Sequence, residues 1–189
     1  CPPAELIDRM RASFLVVGPL LARFGQFQCP PPGGCSIGLR PVNFDIQGFR
    51  RMGAQIRQEG GRYVAQARSL AGSRIFMDYP SHTGTENLMM AACLSRGTTV
   101  IRNASAEPEA VNLGRCLQAM GARISSLGSS TLYVEGVGKL RGFRFSAIPD
   151  RMEAGTFAIA AVGTGGEVHL TSVDCGQMDA LIYKLREMG

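Results

Sequence analysis

The chain has little of what metal-dependent and triad-based active sites are built from. Two histidines, His82 and His169, are all it carries, so a histidine metal site or a serine-histidine triad has little to draw on. Its six cysteines, at 1, 29, 35, 93, 116 and 175, form no C-x-x-C pair, which removes the usual spacing for zinc. No apolar run approaches the ~18 residues of a membrane span, and the stretch "SFLVVGPLL" is broken by Gly-Pro. Runs of like charge and basic-aromatic interleaving are also missing, and these are the marks of a nucleic-acid platform. The sequence therefore points away from metals, membranes and nucleic acid.

What is present is a globular composition, 45% hydrophobic and 19% charged, with a net charge of +5 spread over scattered arginines. Scattered positive charge suits small anionic substrates, or simply a solvated surface biased to arginine. A chain of 189 residues is enough for one sizeable domain or two small ones. Cys93 and Cys116 fall in helix-like apolar patterns and read as buried thiols. A chain with this much core does not need disulfides, so a reducing compartment is expected. Starting at Cys1 and stopping at "KLREMG", the chain is expected to be a segment of a longer protein.

Self-similarity runs through it. "RRMGAQI", "QAMGARI" and "REMG" place Met52, Met120 and Met188 at equal intervals of 68 residues. In phase with them, "LLARFGQFQ", "CLSRGTTVI" and "AVGTGGEVHL" each read as an apolar helix ending in glycine (Gly25, Gly97, Gly166) followed by a strand. A fixed period means stacked supersecondary units. The second unit gives a helix over 86–97, a β-branched strand "TTVIRNA" and a helix opened by Glu107-Pro108-Glu109 and closed by Gly121. A hairpin follows, from "ARISSLG" and "STLYVEG". Carboxylates and Pro suit a helix N-terminus, and Gly a helix end. The fold class expected is α/β, built of repeated βαβαββ units of about 68 residues.

One stretch fits no element. "CPPPGGCSIGLRPVNFD" (29–45) places Cys35 after two glycines, where neither helix nor strand is favoured. Together with "MRASFLVVGPLLARFG", "AEPEAVN", "MGARI", "VEGV" and "PDRMEAGTF", this loop makes the sequence resemble the UDP-N-acetylglucosamine 1-carboxyvinyltransferases, a family of enolpyruvyl transferases. The related shikimate-pathway transferases share the fold and lack the cysteine loop. The resemblance implies two lobes, each an inside-out α/β barrel of three units with the active site between them, present here incompletely. Residues 1–148 would give two units of one lobe with the cysteine loop, and 149–189 the hinge and start of the second lobe.

The activity implied is transfer of the enolpyruvyl group of phosphoenolpyruvate to the 3-hydroxyl of UDP-N-acetylglucosamine with release of phosphate, a step of peptidoglycan precursor synthesis. It needs no cofactor and no metal. The implied partners are the two substrates and the missing second lobe, with a protein partner if the natural chain is short. The implied compartment is the cytoplasm, with a plastid stroma as the alternative. Cys35 matches the family's proton-donor cysteine, and Arg11 and Arg40 match arginines of the anionic site. Arg40, Pro41, Val42, Asn43 and Phe44 match the strip that holds the nucleotide-sugar, as do Tyr79, Pro80, Ser81 and His82.

The chain departs from the family pattern at Asn43, where the family has Asp, and at His82 and Thr83, where it has a small apolar residue and Gly. Thr83 in place of glycine predicts a reshaped loop or a partly filled pocket. These departures sustain an alternative, an inactive relative kept as a structural or binding module. Asp150-Arg151, at the expected hinge, reads first as structural.

Overall fold

The computed structural model describes residues 3–34 and 41–189, which divide into two compact units between Phe145 and Ser146. The first unit opens with α1 (Ala4–Arg9) and a 3-10 turn (Arg11–Val16). It continues through α2 (Val17–Phe24), β1 (Gln26–Cys29), α3 (Asn43–Arg51), β2 (Gln55–Glu59) and β3 (Arg62–Gln66). The remainder is β4 (Arg74–Phe76), α4 (His82–Ala92), β5 (Thr98–Arg102), α5 (Pro108–Ala119), β6 (Arg123–Ser125) and β7 (Thr131–Glu135). From β4 to β7 the order is βαβαββ.

Two sheets result. One has strand order β1-β3-β2, all antiparallel, and the other β4-β5-β7-β6, with β4 parallel to β5 and the rest antiparallel. The shared part of the two sheets has the same arrangement: the later strand of each hairpin lies between its partner and the strand that precedes the helix. Alternation governs which side chains turn inward. Ile101, Leu132 and Val134 are fully buried while Tyr133 between them is exposed.

The helices pack against one another and against both sheets, and α4 is their centre. Gly84, Thr85, Glu86, Asn87, Leu88, Met89, Ala91 and Ala92 are all buried. Beyond its exposed first residue this helix has almost no solvent face, so even its polar residues Thr85, Glu86 and Asn87 are buried. It touches α2, α3, α5 and the 3-10 turn. Two glycines set how closely its neighbours approach. A Cβ on Gly18 of α2 would run into the main-chain and side-chain oxygens of Asn87, and one on Gly48 of α3 into the Leu88 methyls. Phe49 and Phe27 close the core under the first sheet, edge to face with centroids 6.3 Å apart, within the roughly 4.5–7 Å usual for ring pairs.

The second unit has α6 (Arg151–Thr164), a 3-10 turn (Cys175–Gln177) and α7 (Asp179–Glu187). The Asp150 carboxylate caps α6, accepting from the Met152 and Glu153 N–H groups at 2.8 and 3.1 Å. Its observed duty is thus a local helix cap.

Four expectations need correction. The second-unit helix begins at His82, not at Glu86, and ends at Ala92 with Cys93 as its cap, so Gly97 (φ +82°) turns the chain into β5 and does not close the helix. In the third segment Gly165 (φ +63°), not Gly166, caps α6. "EVHL" after it forms no strand, because a strand is stable only with a neighbour to pair with. Cys116 is half-buried, whereas Cys93 is fully buried and its thiol is pushed up to about 12 by burial.

Glu86 is the costly residue of this core. It is 8% exposed, and burial, aided by the repulsion of Glu109, pushes its carboxyl from 4.5 up to about 7. A carboxyl raised by folding binds its proton more tightly in the native state, so stability falls as pH rises from about 4.5 to about 7. Glu86→Gln is expected to raise stability at pH 8, by on the order of 1–2 kcal/mol, and to flatten that slope. Urea unfolding at pH 4.5 and 8 checks it, and an unchanged slope would place the pH dependence elsewhere.

Candidate functional site

The first turns of α3 and α4 and the 3-10 turn meet on one side of the first unit. Ser81 caps α4, its hydroxyl accepting from the Gly84 N–H at 3.1 Å and lying 3.3 Å from the Thr83 hydroxyl. His82 is the first helical residue and is exposed. Across from it, Val42 precedes α3, whose first residue is Asn43. The Phe44 and Tyr79 rings approach to 6.4 Å, so the two segments matched to the nucleotide-sugar site, 41–44 and 79–82, are neighbours in space. Tyr79 and Pro80 are exposed, as are Pro41 and Asn43, so these positions face outward with little structural duty.

Arg11 joins them. Its Nη2 donates to the Pro41 carbonyl at 3.4 Å. Gly34, on the other side of the undescribed segment, also abuts this turn: a Cβ there would come within 2.7 Å of the Arg9 carbonyl and 3.4 Å of the Met10 Cα. The Gly33 N–H donates to Ile7 at 3.3 Å. The chain therefore leaves the described structure at Gly34 and re-enters it at Pro41 against the same Arg9–Arg11 segment. Cys35 and Arg40 themselves lie outside the described residues.

Beneath this surface lies a buried polar network that the motif reading passed over. Asn87 donates from Nδ2 to the Asp45 carboxylate at 2.8 Å and to the Phe14 carbonyl at 3.2 Å. Its Oδ1 accepts from the Gly18 N–H at 2.7 Å. Asn87 and Asp45 are 1% and 5% exposed. Burial pushes the Asp45 carboxyl from 3.8 up to about 6, opposed by the Asn87 hydrogen bond and by the Arg11 charge. Arg11, Val42, Asp45, Thr83 and Asn87 line a cavity of about 10 Å³, room for about one water molecule. It is a support for the outer surface, too small to seat a substrate.

A sequence signal for this network exists. Val42, Ile46, Phe49 and Met52 recur at helical spacing, and Asp45 falls on that same face, where a charge is out of place. Thr83 also proves less disruptive than expected. It sits in the regular first turn of α4 and shows no left-handed backbone. At the next position, Gly84, a Cβ would meet only the movable tip of Met77, Cε at 2.9 Å, and the Ser81 side chain at 3.3 Å.

Truncating Asn87→Ala would leave the Gly18 N–H and the Asp45 carboxylate without this partner, whereas the Phe14 carbonyl keeps the Val17 N–H. Each stranded group costs about 1–3 kcal/mol, so the first unit should lose about 2 kcal/mol or more in urea unfolding. A loss under about 1 kcal/mol would mean that the network relaxes without cost.

Comparison with known proteins agrees with this architecture. The chain is 51% identical over 187 residues to a UDP-N-acetylglucosamine 1-carboxyvinyltransferase of Halorhodospira halophila (strain DSM 244 / SL1), covering 99% of this chain and 45% of that protein. It thus spans about half the length of this curated relative. Among solved structures, the enolpyruvyl transferase NikO from Streptomyces tendae superposes with a TM-score of 0.71 at 23% identity, over 84% of this chain and 38% of that one. An EPSP synthase from Acinetobacter baumannii gives 0.61 at 22% identity, over 80% and 34%. At such identities these two speak for the fold alone, an enolpyruvyl transferase-like fold of mixed α/β content. All of residues 1–189 match one family, and the chain belongs to it: the EPSP synthase (3-phosphoshikimate 1-carboxyvinyltransferase) family.

Proposed function

We propose that the whole protein to which this chain belongs transfers the enolpyruvyl group of phosphoenolpyruvate to the 3-hydroxyl of UDP-N-acetylglucosamine and releases phosphate. The chain supplies one wall of the cleft, built from repeated units of about 68 residues in an inside-out barrel, and a second lobe supplies the other wall. This segment alone is inactive in that reading. The observation that carries it is the convergence at Arg11. Gly34 and Pro41, the covalent neighbours of Cys35 and Arg40, both abut the Arg9–Arg11 segment, beside the paired segments 41–44 and 79–82.

The chemistry has four parts to satisfy. A proton must reach the terminal enol carbon while the sugar oxygen bonds to the neighbouring carbon, and Cys35 is the acid for that step. Arg11 and Arg40 hold the phosphate and carboxylate of phosphoenolpyruvate with planar, always-charged forks. The addition product then loses phosphate by C–O cleavage and a proton from its new methyl group, which restores the double bond. The nucleotide-sugar lies along Pro41, Val42, Asn43 and Phe44 and over Tyr79, Pro80, Ser81 and His82. There the N-terminus of α4 offers the positive end of a helix dipole to a diphosphate.

The competing reading, an inactive module, rests on Asn43 and His82. Both are exposed at the first turns of their helices, where they can meet a ligand without disturbing the core. Thr83 is accommodated by the fold, so it no longer argues against a working pocket. In the full-length protein, an epoxide analogue of phosphoenolpyruvate should alkylate Cys35, and UDP-N-acetylglucosamine should accelerate the labelling. Labelling indifferent to the sugar, with no carboxyvinyl transfer, would sink the enzyme reading. Asn43→Asp should then raise nucleotide-sugar affinity if the module has lost its ligand at that position.

A further inference from the structure

The buried pair beneath the site does more than fill the core: we propose that Asp45, oriented by Asn87, is a positioning residue for the Arg11 guanidinium and hence for the anion that Arg11 binds. This rests on the anion-binding role of Arg11 given above. Asp45 stands three residues after Val42, in the first turn of α3, so it is rigidly linked to the 41–44 strip. Arg11 opens the 3-10 turn whose Phe14 carbonyl is held by Asn87. One amide therefore fixes the element that carries Arg11 and the element that carries the strip.

The amide cannot turn over. Its oxygen is committed to the Gly18 N–H, and its NH2 to the Phe14 carbonyl and the Asp45 carboxylate. A flipped amide would set donor against donor and acceptor against acceptor. The Asp45 carboxylate is thereby aimed, and the charge it faces is Arg11. Around the same cavity, α4 contributes Thr83 and Asn87, the 3-10 turn Arg11, Phe14 and Leu15, and α3 only Asp45 itself beyond the preceding Val42. Among the described residues of that lining, Arg11 is the one cation. It donates to the Pro41 carbonyl and shares the cavity with the Asp45 carboxylate, whose charge it attracts. A buried carboxylate behind an anion-binding arginine subtracts some charge, but it fixes the plane of the fork, on which bidentate recognition depends.

Burial raises the Asp45 carboxyl to about 6, so it is ionised at pH 7.5 and largely protonated at pH 5. The test uses the full-length protein and sulfate, a dianion throughout that range, followed by calorimetry at pH 5 to 7.5. Wild-type affinity should be highest at pH 7.5 and fall through pH 6. Asp45→Asn retains an acceptor for Asn87 but no charge. It should bind sulfate about threefold to tenfold more weakly at pH 7.5 and show no change across pH 6. If that variant fails to fold, Asp45→Ser, which also accepts from Asn87, carries the same comparison. A variant that matches or exceeds wild-type affinity at pH 7.5, or keeps the wild-type pH profile, overturns the role of Asp45. So does a wild type that binds no sulfate. Because the readout is binding, a wild type that holds sulfate but transfers no enolpyruvyl group counts against the proposed reaction and leaves this comparison standing.

Discussion

Everything on the site side of the first unit depends on one side-chain amide. Asn87 sits in the most buried helix of the molecule and satisfies a main-chain N–H of α2, a main-chain carbonyl of the 3-10 turn and a carboxylate of α3. Hydrophobic contact alone would let these elements slide, because apolar surface has no preferred register. A buried polar network with every member satisfied has only one arrangement, and any slip strands a group in a low-dielectric interior. Gly18 shows how tight the arrangement is, since even a methyl group there would overlap the amide and the Asn87 carbonyl.

That constraint explains where the outer surface lies. With α2, α3, α4 and the 3-10 turn locked together, the first turns of α3 and α4 converge, and the rings of Phe44 and Tyr79 meet between them. Helix starts carry the positive end of the peptide dipole, and Arg11 adds a full charge beside them. The result is an anion-favouring edge made from a fixed scaffold. The net charge of +5 is therefore less informative than the placement of one arginine.

Much of this was legible in the sequence and some was not. The βαβαββ order from β4 to β7 follows from strong local signals: β-branched strands, a Pro at the start of α5 and Gly121 beyond its end. The failures have physical causes. Gly97 looks like a helix stop, yet α4 ends earlier: Ser95 turns back onto the Ala92 carbonyl, and the Arg96 N–H leaves the helix to donate to the Leu70 carbonyl at 2.8 Å. "EVHL" has the pattern of a strand, but pairing is a tertiary property that no local pattern can supply. The family motifs single out Arg11 and the two outer segments because those motifs carry the resemblance. They pass over Asn87 and Asp45, since a buried amide in "TENLMM" resembles any polar residue until its partners, 42, 69 and 73 residues distant, are in view.

The same contrast separates two kinds of position in the site. Asn43 and His82 are exposed in the first turns of their helices, so a change of side chain there alters what a ligand meets and leaves the core untouched. Asp45 and Asn87 are buried and mutually bonded, so a change in either must be answered by the other or by Arg11. In the proposed reading, differences at the outer positions tune ligand recognition, whereas differences at the inner pair reset the geometry beneath it. Thr83 lies between these classes. It shares the cavity with Asp45 and Asn87, yet its hydroxyl lies within 3.3 Å of the Ser81 hydroxyl that caps α4. A threonine there places a side chain between the inner cavity and the start of α4, and a glycine at that position would not.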